Sequence, residues 1–129
     1  MEYIYYNIKV THPGTTPASS IHLLGMIDME GYNALSLHVT VRTATGGGPQ
    51  DLEIWAYEAN RYGMPQTSGQ AKVTIPSLVL AGGVYLVKLS TSAASNPLGG
   101  GRYLELGVRM TQAGDTADVD VIVARPINV

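Results

Sequence analysis

Pairs of acidic residues separated by one position are the first candidates for chemistry in this sequence. The pairs are Asp28 and Glu30, Asp51 and Glu53, and Asp118 and Asp120. Because residues two apart on a strand share a face, each pair could hold two carboxylates side by side. A glycosidase needs its carboxylates to face each other across a cleft, and this spacing alone does not predict a cleft.

Metal-binding residue types are present without the spacing of a metal site. Asp115, Asp118 and Asp120 could hold Ca²⁺, but no dedicated loop pattern accompanies them. Carboxylates at solvated strand edges, which oppose sheet-to-sheet aggregation, explain these residues better. We therefore predict no metal ion and no other cofactor.

The histidines lie on separate segments, at His12, His22 and His38, and none belongs to a His-x-His or His-x-x-x-His pattern. His38 falls on the polar parity of its strand, so we expect its ring to face solvent. His22 sits in an apolar run, where a partly buried ring with a hydrogen-bond partner is expected.

Motifs for nucleophilic catalysis and phosphate binding are missing. The sequence has no cysteine, no Gly-x-Ser-x-Gly elbow and no Walker-type loop. The glycine runs 46–48 and 99–101 lack the lysine that a phosphate loop needs, and we expect flexible connections there. Since every candidate catalytic role lacks its partner, we predict that the protein is not an enzyme and has no catalytic residues.

Alternation of apolar and polar residues defines the elements that carry these side chains. Residues 35–41 read Leu-Ser-Leu-His-Val-Thr-Val, the pattern of a strand with one buried face. In 119–123 the valines at odd positions repeat the pattern, and 104–110 places four apolar side chains on one face. In 52–58 both faces carry large side chains, so we expect neither face to be fully exposed.

Eight or nine short strands separated by turn residues predict an all-β fold. Burial of one face of each strand is most simply achieved by two packed antiparallel sheets. The predicted fold is therefore a jelly-roll or other Greek-key β-sandwich, with a closed barrel as the alternative. Its last two strands are predicted at 102–111 and 118–125, and a long loop is predicted at 59–70.

The length of 129 residues predicts one domain over 1–129, with 1–19 as a possible N-terminal arm. Ten acidic residues against eight basic ones, with the basic ones spread singly, argue against a nucleic-acid partner. No run is long enough for a transmembrane helix, and the start lacks the features of a signal peptide, so we expect no membrane partner and synthesis in the cytoplasm.

Aromatic and basic residues suggest surfaces for contact with other proteins, where aromatic and Arg side chains are common anchors. At the N-terminus the candidates are Tyr3, Ile4, Tyr5 and Tyr6, which could belong to a first strand or to an arm lying on a partner. In the predicted 59–70 loop the candidates are Arg61, Tyr62 and Met64. The tyrosines could equally cover the core of the sandwich itself.

The order of the segments 31–41, 51–58, 82–89, 101–116 and 119–124 resembles the small jelly-roll capsid cement, or head-decoration, proteins of tailed bacteriophages. The likeness covers about residues 20–125, and its most telling piece is Arg102–Leu106 followed by a glycine-containing turn and a final strand. The resemblance implies a structural protein of the virion exterior. Its partners would be the major capsid protein and further copies of itself, expected as a homotrimer at three-fold positions of the shell.

The alternative is a carbohydrate- or receptor-binding β-sandwich of a phage tail or fibre. Trp55, Tyr57 and Tyr62 are the aromatic residues that could stack on sugar rings. A single tryptophan makes this interpretation the weaker of the two.

Overall fold

A computed structural model of the protein describes residues 1–12, 22–59, 65–76, 83–93 and 97–129. These residues form eight β-strands and no helix: β1 Tyr3–Val10, β2 His22–Asp28, β3 Ala34–Thr45, β4 Leu52–Ala59, β5 Pro65–Ile75, β6 Val84–Ser90, β7 Tyr103–Met110 and β8 Thr116–Ile127. The described residues accordingly include no helix that is long and apolar enough to cross a membrane.

The strands form two four-stranded antiparallel sheets, with the orders β1-β8-β3-β6 and β2-β7-β4-β5. The first strand pairs with the eighth, the second with the seventh, the third with the sixth and the fourth with the fifth. This nesting of pairs is the topology of a jelly roll, in which one long hairpin is wrapped into two sheets. The predicted all-β sandwich is therefore confirmed.

The core lies between the two sheets and is built from the alternating strands. Leu35, Leu37 and Val39 of β3 are fully buried, and Leu106 and Val108 of β7 are fully buried as well. Each such side chain contributes about 1.5–3 kcal/mol relative to exposure, which offsets the conformational entropy of the ordered chain. On β4 both faces are buried, as the sequence predicts.

Strand β8 changes the side that it buries midway along its length. Val119 pairs with Val41 and Val121 with Thr40, which leaves Asp120 as an inserted residue in the β3–β8 ladder. On one side of this bulge Val119 faces the core. On the other side Ile122 is fully buried, whereas Val121 is partly exposed. The prediction that the valines of 119–123 share a buried face is therefore wrong, because a bulge reverses the parity of a strand.

Two predicted strand boundaries are also wrong. Strand β5 begins at Pro65, so the β4–β5 connection is confined to 60–64 and is shorter than the predicted loop. Strand β8 continues through Pro126 to Ile127. Its pairing with β1 ends at Ala124, so Pro126 has a described strand neighbour on one side and the missing N–H is tolerated, as at a sheet edge.

A buried carboxylate fixes the glycine-rich connection between β3 and β4. Asp115 is 1% exposed, and it accepts hydrogen bonds from the N–H groups of Gly48 and Gln50, both at 3.0 Å. A Cβ atom at Gly46 would overlap the Asp115 carboxylate. The run 46–48 is therefore a close-packed turn instead of the flexible connection expected from the sequence.

Candidate functional site: an apolar outer sheet face

The outer face of the β1-β8-β3-β6 sheet carries two neighbouring rows of mostly apolar side chains, with His38 and Thr40 of β3 as the polar members. Cross-strand pairing aligns the first row across the four strands and a second row beside it. The first row is Ile4, Val123, His38 and Leu86, and the second is Tyr6, Val121, Thr40 and Val84. We call these eight residues the outer apolar face.

Four side chains of this face are strongly exposed. Ile4 is 44% exposed, Val84 59%, Tyr6 67% and Leu86 73%. Sheet faces in contact with water normally carry polar residues, so apolar side chains on three of the four strands, β1, β8 and β6, are the informative departure. His38 lies near the middle of the face and is exposed, as its parity predicts.

The local causes of the outer apolar face are the bulge in β8 and the composition of β6. The bulge at Asp120 turns Val121 and Val123 away from the core. Strand β6 reads Val-Tyr-Leu-Val-Lys-Leu-Ser, so it has apolar residues on both faces. Tyr85 and Val87 pack against the core, which leaves Val84 and Leu86 on the outside.

Charged groups lie at both ends of the outer apolar face. At one end the Arg125 guanidinium forms an ion pair with the Glu2 carboxylate, and this contact holds the pKa of Glu2 below its ordinary value. A shallow depression of about 380 Å³ lies beside this pair and is lined by Glu2, Ser36, His38, Leu86, Val123 and Arg125. At the other end Arg42 pairs with Asp120. The face is thus an apolar area with ionic rims, the usual composition of a protein contact.

The structure divides the N-terminal contact candidates between the two sides of β1. Ile4 and Tyr6 belong to the outer apolar face. Tyr3 and Tyr5 pack against the core, where Tyr3 Oη accepts a hydrogen bond from the Asp28 N–H at 3.1 Å. Residues 3–10 are a strand of the sandwich, paired with β8. A contact role for these residues stays a prediction.

The remaining contact candidates, Arg61, Tyr62 and Met64, lie outside the described residues. The sequence analysis missed Val84, Leu86, Val121 and Val123. The continuous apolar composition of β6 is a signal that could have identified Val84 and Leu86, since a strand of a two-sheet sandwich packs only one of its faces against the core. No comparable signal marks the two valines, because the bulge that turns them outward is set by strand pairing.

The opposite sheet carries a charged and aromatic cluster on its outer side. The Glu53 carboxylate accepts from Arg109 Nε at 2.7 Å and from Lys72 Nζ at 3.1 Å. Burial favours the neutral acid, but the hydrogen bonds from Arg109 and Lys72 prevail and hold the pKa of Glu53 below its ordinary value. Both cations also lie near the Trp55 ring, at 5.9 and 5.3 Å from its centroid. Each charge in this cluster is paired, as in a structural ion network.

The two aromatic residues of that cluster have little free surface. Trp55 is 7% exposed and Tyr57 6%, and their rings stack with centroids 6.0 Å apart. Burial raises the pKa of the Tyr57 hydroxyl above its ordinary value. Among the described residues, Trp55 Nε1 and Tyr57 Oη have no hydrogen-bond partner. Rings so deeply covered offer little area for stacking on a sugar.

The acidic pairs considered for catalysis are engaged by neighbouring groups. Arg102 lies 3.3 Å from Asp28 and 3.0 Å from Glu30. A hydrogen bond from the Glu30 N–H, followed by one from Arg102, lowers the pKa of Asp28. Asp118 accepts from the Thr43 hydroxyl at 2.9 Å. In the described part of the chain, no group of three or more His, Cys, Asp or Glu residues could hold a metal ion.

His22 matches the expectation of a partly buried, satisfied histidine. Its Nε2 lies 2.9 Å from the Thr11 hydroxyl, and the ring is half-buried. The hydrogen bond ties β2 to the residue that follows β1. A structural role explains this histidine fully.

Comparison with known proteins leaves the family open. No protein-family model and no curated protein matches the sequence. A solved structure of Bacillus endospore appendages, described as a novel family of disulfide-linked pili, aligns over 98% of this chain and 86% of that chain, with 11% identity and a TM-score of 0.46. The 129 residues contain no cysteine, so they form no disulfide. A likeness at this level assigns neither a family nor a function.

Proposed function

We propose that the protein is a non-catalytic docking protein of the phage-head decoration type. It binds the major capsid protein on the exterior of the virion, bridges neighbouring subunits and stabilises the mature shell. The observation that carries the proposal is the outer apolar face, because exposed apolar patches rimmed by polar or charged residues often mark binding sites.

The small size of this face favours binding to a lattice of many identical sites over tight binding to a single partner. Four strands about 4.8 Å apart and two rows of outward side chains about 6.8 Å apart cover about 260 Å². A stable protein interface buries about 800 Å² on each partner. One copy therefore binds weakly, and repetition over a lattice compensates because linked sites bind with avidity.

Selective binding to the mature shell gives the mechanism of stabilisation. A protein that binds one state of an assembly and not another shifts the equilibrium toward the bound state by mass action. The ionic rims, Glu2 with Arg125 and Arg42 with Asp120, provide the orientation that an apolar area alone lacks.

Co-sedimentation with mature and unexpanded phage heads tests the proposal. The variant Ile4→Asp with Tyr6→Asp places two charges on the outer apolar face and is expected to abolish binding. Leu23→Asp is the matched control, since Leu23 is 58% exposed on the other sheet. Equal binding of the wild type and the Ile4/Tyr6 variant would exclude docking through this face. Binding to a phage polysaccharide in place of heads would support the tail or fibre alternative, which stays a prediction.

A further inference from the structure

Strand β6 differs from the other edge strands of the sandwich. In the described residues the other three edges are irregular: β1 contains Asn7 with φ of 53°, β2 shifts register between Leu23 and Gly25, and the β4–β5 ladder shifts between Tyr57 and Ala59. The β3–β6 register is continuous from Ala34–Ser90 to Thr40–Val84. Bulges and twists protect sheet edges against pairing with other chains, and β6 lacks this protection.

Hydrogen bonds that flank the β3–β6 ladder show which side of β6 is already used. The Val41 N–H donates to the Gly83 carbonyl at 3.0 Å, and the Thr91 N–H donates to the Asn33 carbonyl at 3.0 Å. Both pairs continue the register of the ladder. Since antiparallel strands bond at alternate pairs, the odd-numbered residues of β6 direct their N–H and C=O groups toward β3.

The even-numbered residues of β6 therefore direct their backbone groups toward the edge of the sheet, where no described strand pairs with them. These are Val84, Leu86 and Lys88, all of which are exposed. The next even-numbered residue, Ser90, already accepts a hydrogen bond from the Leu98 N–H at 2.9 Å. The segment of β6 that could pair with another strand is therefore short and ends before Ser90.

We propose that β6 pairs antiparallel with β6 of a second copy of this chain. The backbone groups of Val84, Leu86 and Lys88 all find hydrogen-bond partners when the two-fold axis passes through Leu86. In this arrangement Leu86 faces Leu86 of the second copy and Val84 faces its Lys88. In this register no two lysines oppose each other, and the Lys88 stem covers a valine. The exposed Leu86 side chain, 73% accessible in one copy, gains an apolar neighbour.

The paired copies share one continuous eight-stranded sheet, and their outer apolar faces lie on the same side of it. The combined area reaches about 520 Å², about two thirds of the roughly 800 Å² that one partner buries in a standard interface. A ring of three would instead need β6 to pair with a different edge. The other edge of the same sheet is β1, where Asn7 interrupts the extended backbone. The edge geometry therefore favours a two-fold pair over the homotrimer expected from the resemblance.

The absence of cysteine makes single-cysteine cross-linking a direct test. Leu86→Cys is expected to form a disulfide-linked dimer under mild oxidation, at least about tenfold faster than Ile4→Cys, because cross-strand partners lie within disulfide distance. Ile4 lies on the same face but three strands away from β6. An equal mixture of Val84→Cys and Lys88→Cys is expected to yield the mixed dimer.

Sedimentation of the wild-type protein provides the second measurement, with a dimer as the expected species at high concentration. Preferential cross-linking of Ile4→Cys would show face-to-face packing and overturn the edge pairing. A trimer, or equal rates for Leu86→Cys and Ile4→Cys, would overturn it as well. The Ile4→Asp with Tyr6→Asp variant should still dimerise, since its changes lie away from β6, so docking and self-pairing can fail independently.

Discussion

Arg42 and Asp120 are the inserted residues of the β3–β8 ladder, and they pair with each other through Arg42 Nε and Asp120 Oδ1 at 2.8 Å. The paired bulge lies where β8 changes the side that it buries. It also lies next to the irregular Asn7 of β1, so three adjacent strands are interrupted at one level. The paired bulge therefore sets which side chains of β8 face the core and which belong to the outer apolar face.

Deletion of Asp120 should therefore be far more harmful than its substitution. Asp120→Ala removes an exposed ion pair, which is worth about 0.5 kcal/mol. Deletion would turn Ile122 outward and Arg125 toward the core, at a cost of about 3 kcal/mol or more. Urea unfolding of the two variants measures the difference. Similar midpoints for both would show that the bulge does not set the parity of β8.

Substitutions in the glycine run should separate close packing from flexibility. Gly46 has φ of 138° and lies against Asp115, whereas an added Cβ at Gly47 meets no atom within 4 Å. We expect Gly46→Ala to lower the free energy of unfolding by about 2–3 kcal/mol. Gly47→Ala, the control, should change it by less than about 0.5 kcal/mol. Thermal unfolding of both variants provides the measurement, and equal melting temperatures would contradict the close-packed turn.

Removal of two tyrosine hydroxyls should have opposite effects on stability. Tyr57 Oη is buried without a described partner, so Tyr57→Phe is expected to be neutral or stabilising by up to about 1 kcal/mol. Tyr3 Oη accepts from the Asp28 N–H, so Tyr3→Phe should destabilise by about 1 kcal/mol. Chemical denaturation compares the pair. A loss for Tyr57→Phe as large as that for Tyr3→Phe would indicate that the Tyr57 hydroxyl is hydrogen-bonded.

Acid should weaken the fold through Glu53. The pKa of Glu53 is lower in the folded protein than the ordinary value of 4.5. The stability that its ionised form contributes is therefore present above pH about 4.5 and is lost as the pH falls through the folded-state pKa. Between pH 6 and pH 3 the wild type should lose more stability than Glu53→Gln. Unfolding free energies at several pH values measure this difference.

Glu30→Gln is the matched control for the acid dependence. The Glu30 side chain is 69% exposed, although it pairs with Arg102 at 3.0 Å. An exposed ion pair contributes little, so this variant should keep the acid dependence of the wild type. The same acid dependence in Glu53→Gln and the wild type would assign the loss to other carboxylates.

Regular alternation made most of the fold predictable. The segments 35–41 and 104–110 specify strands with one buried face, and the structure gives β3 and β7 there. The position of His38 followed from the same parity. The end of the last strand did not follow, because Pro126 is tolerated where β8 lacks β1 as a neighbour. The candidate site was predicted in part, since Ile4 and Tyr6 were identified and the residues on β6 and β8 were not.

The sequence by itself determined that the chain forms an all-β sandwich without cysteine and without the motifs of common catalytic sites, because alternation and residue type act locally. The tertiary structure decided which apolar residues remain outside. Val121 lies on the outer face because a bulge opposite β3 reverses the parity of β8, and Leu86 does so because β6 pairs with β3 in a register that turns Tyr85 and Val87 toward the core. Both facts depend on the pairing of strands distant in sequence, and a local pattern of residues does not encode such pairing.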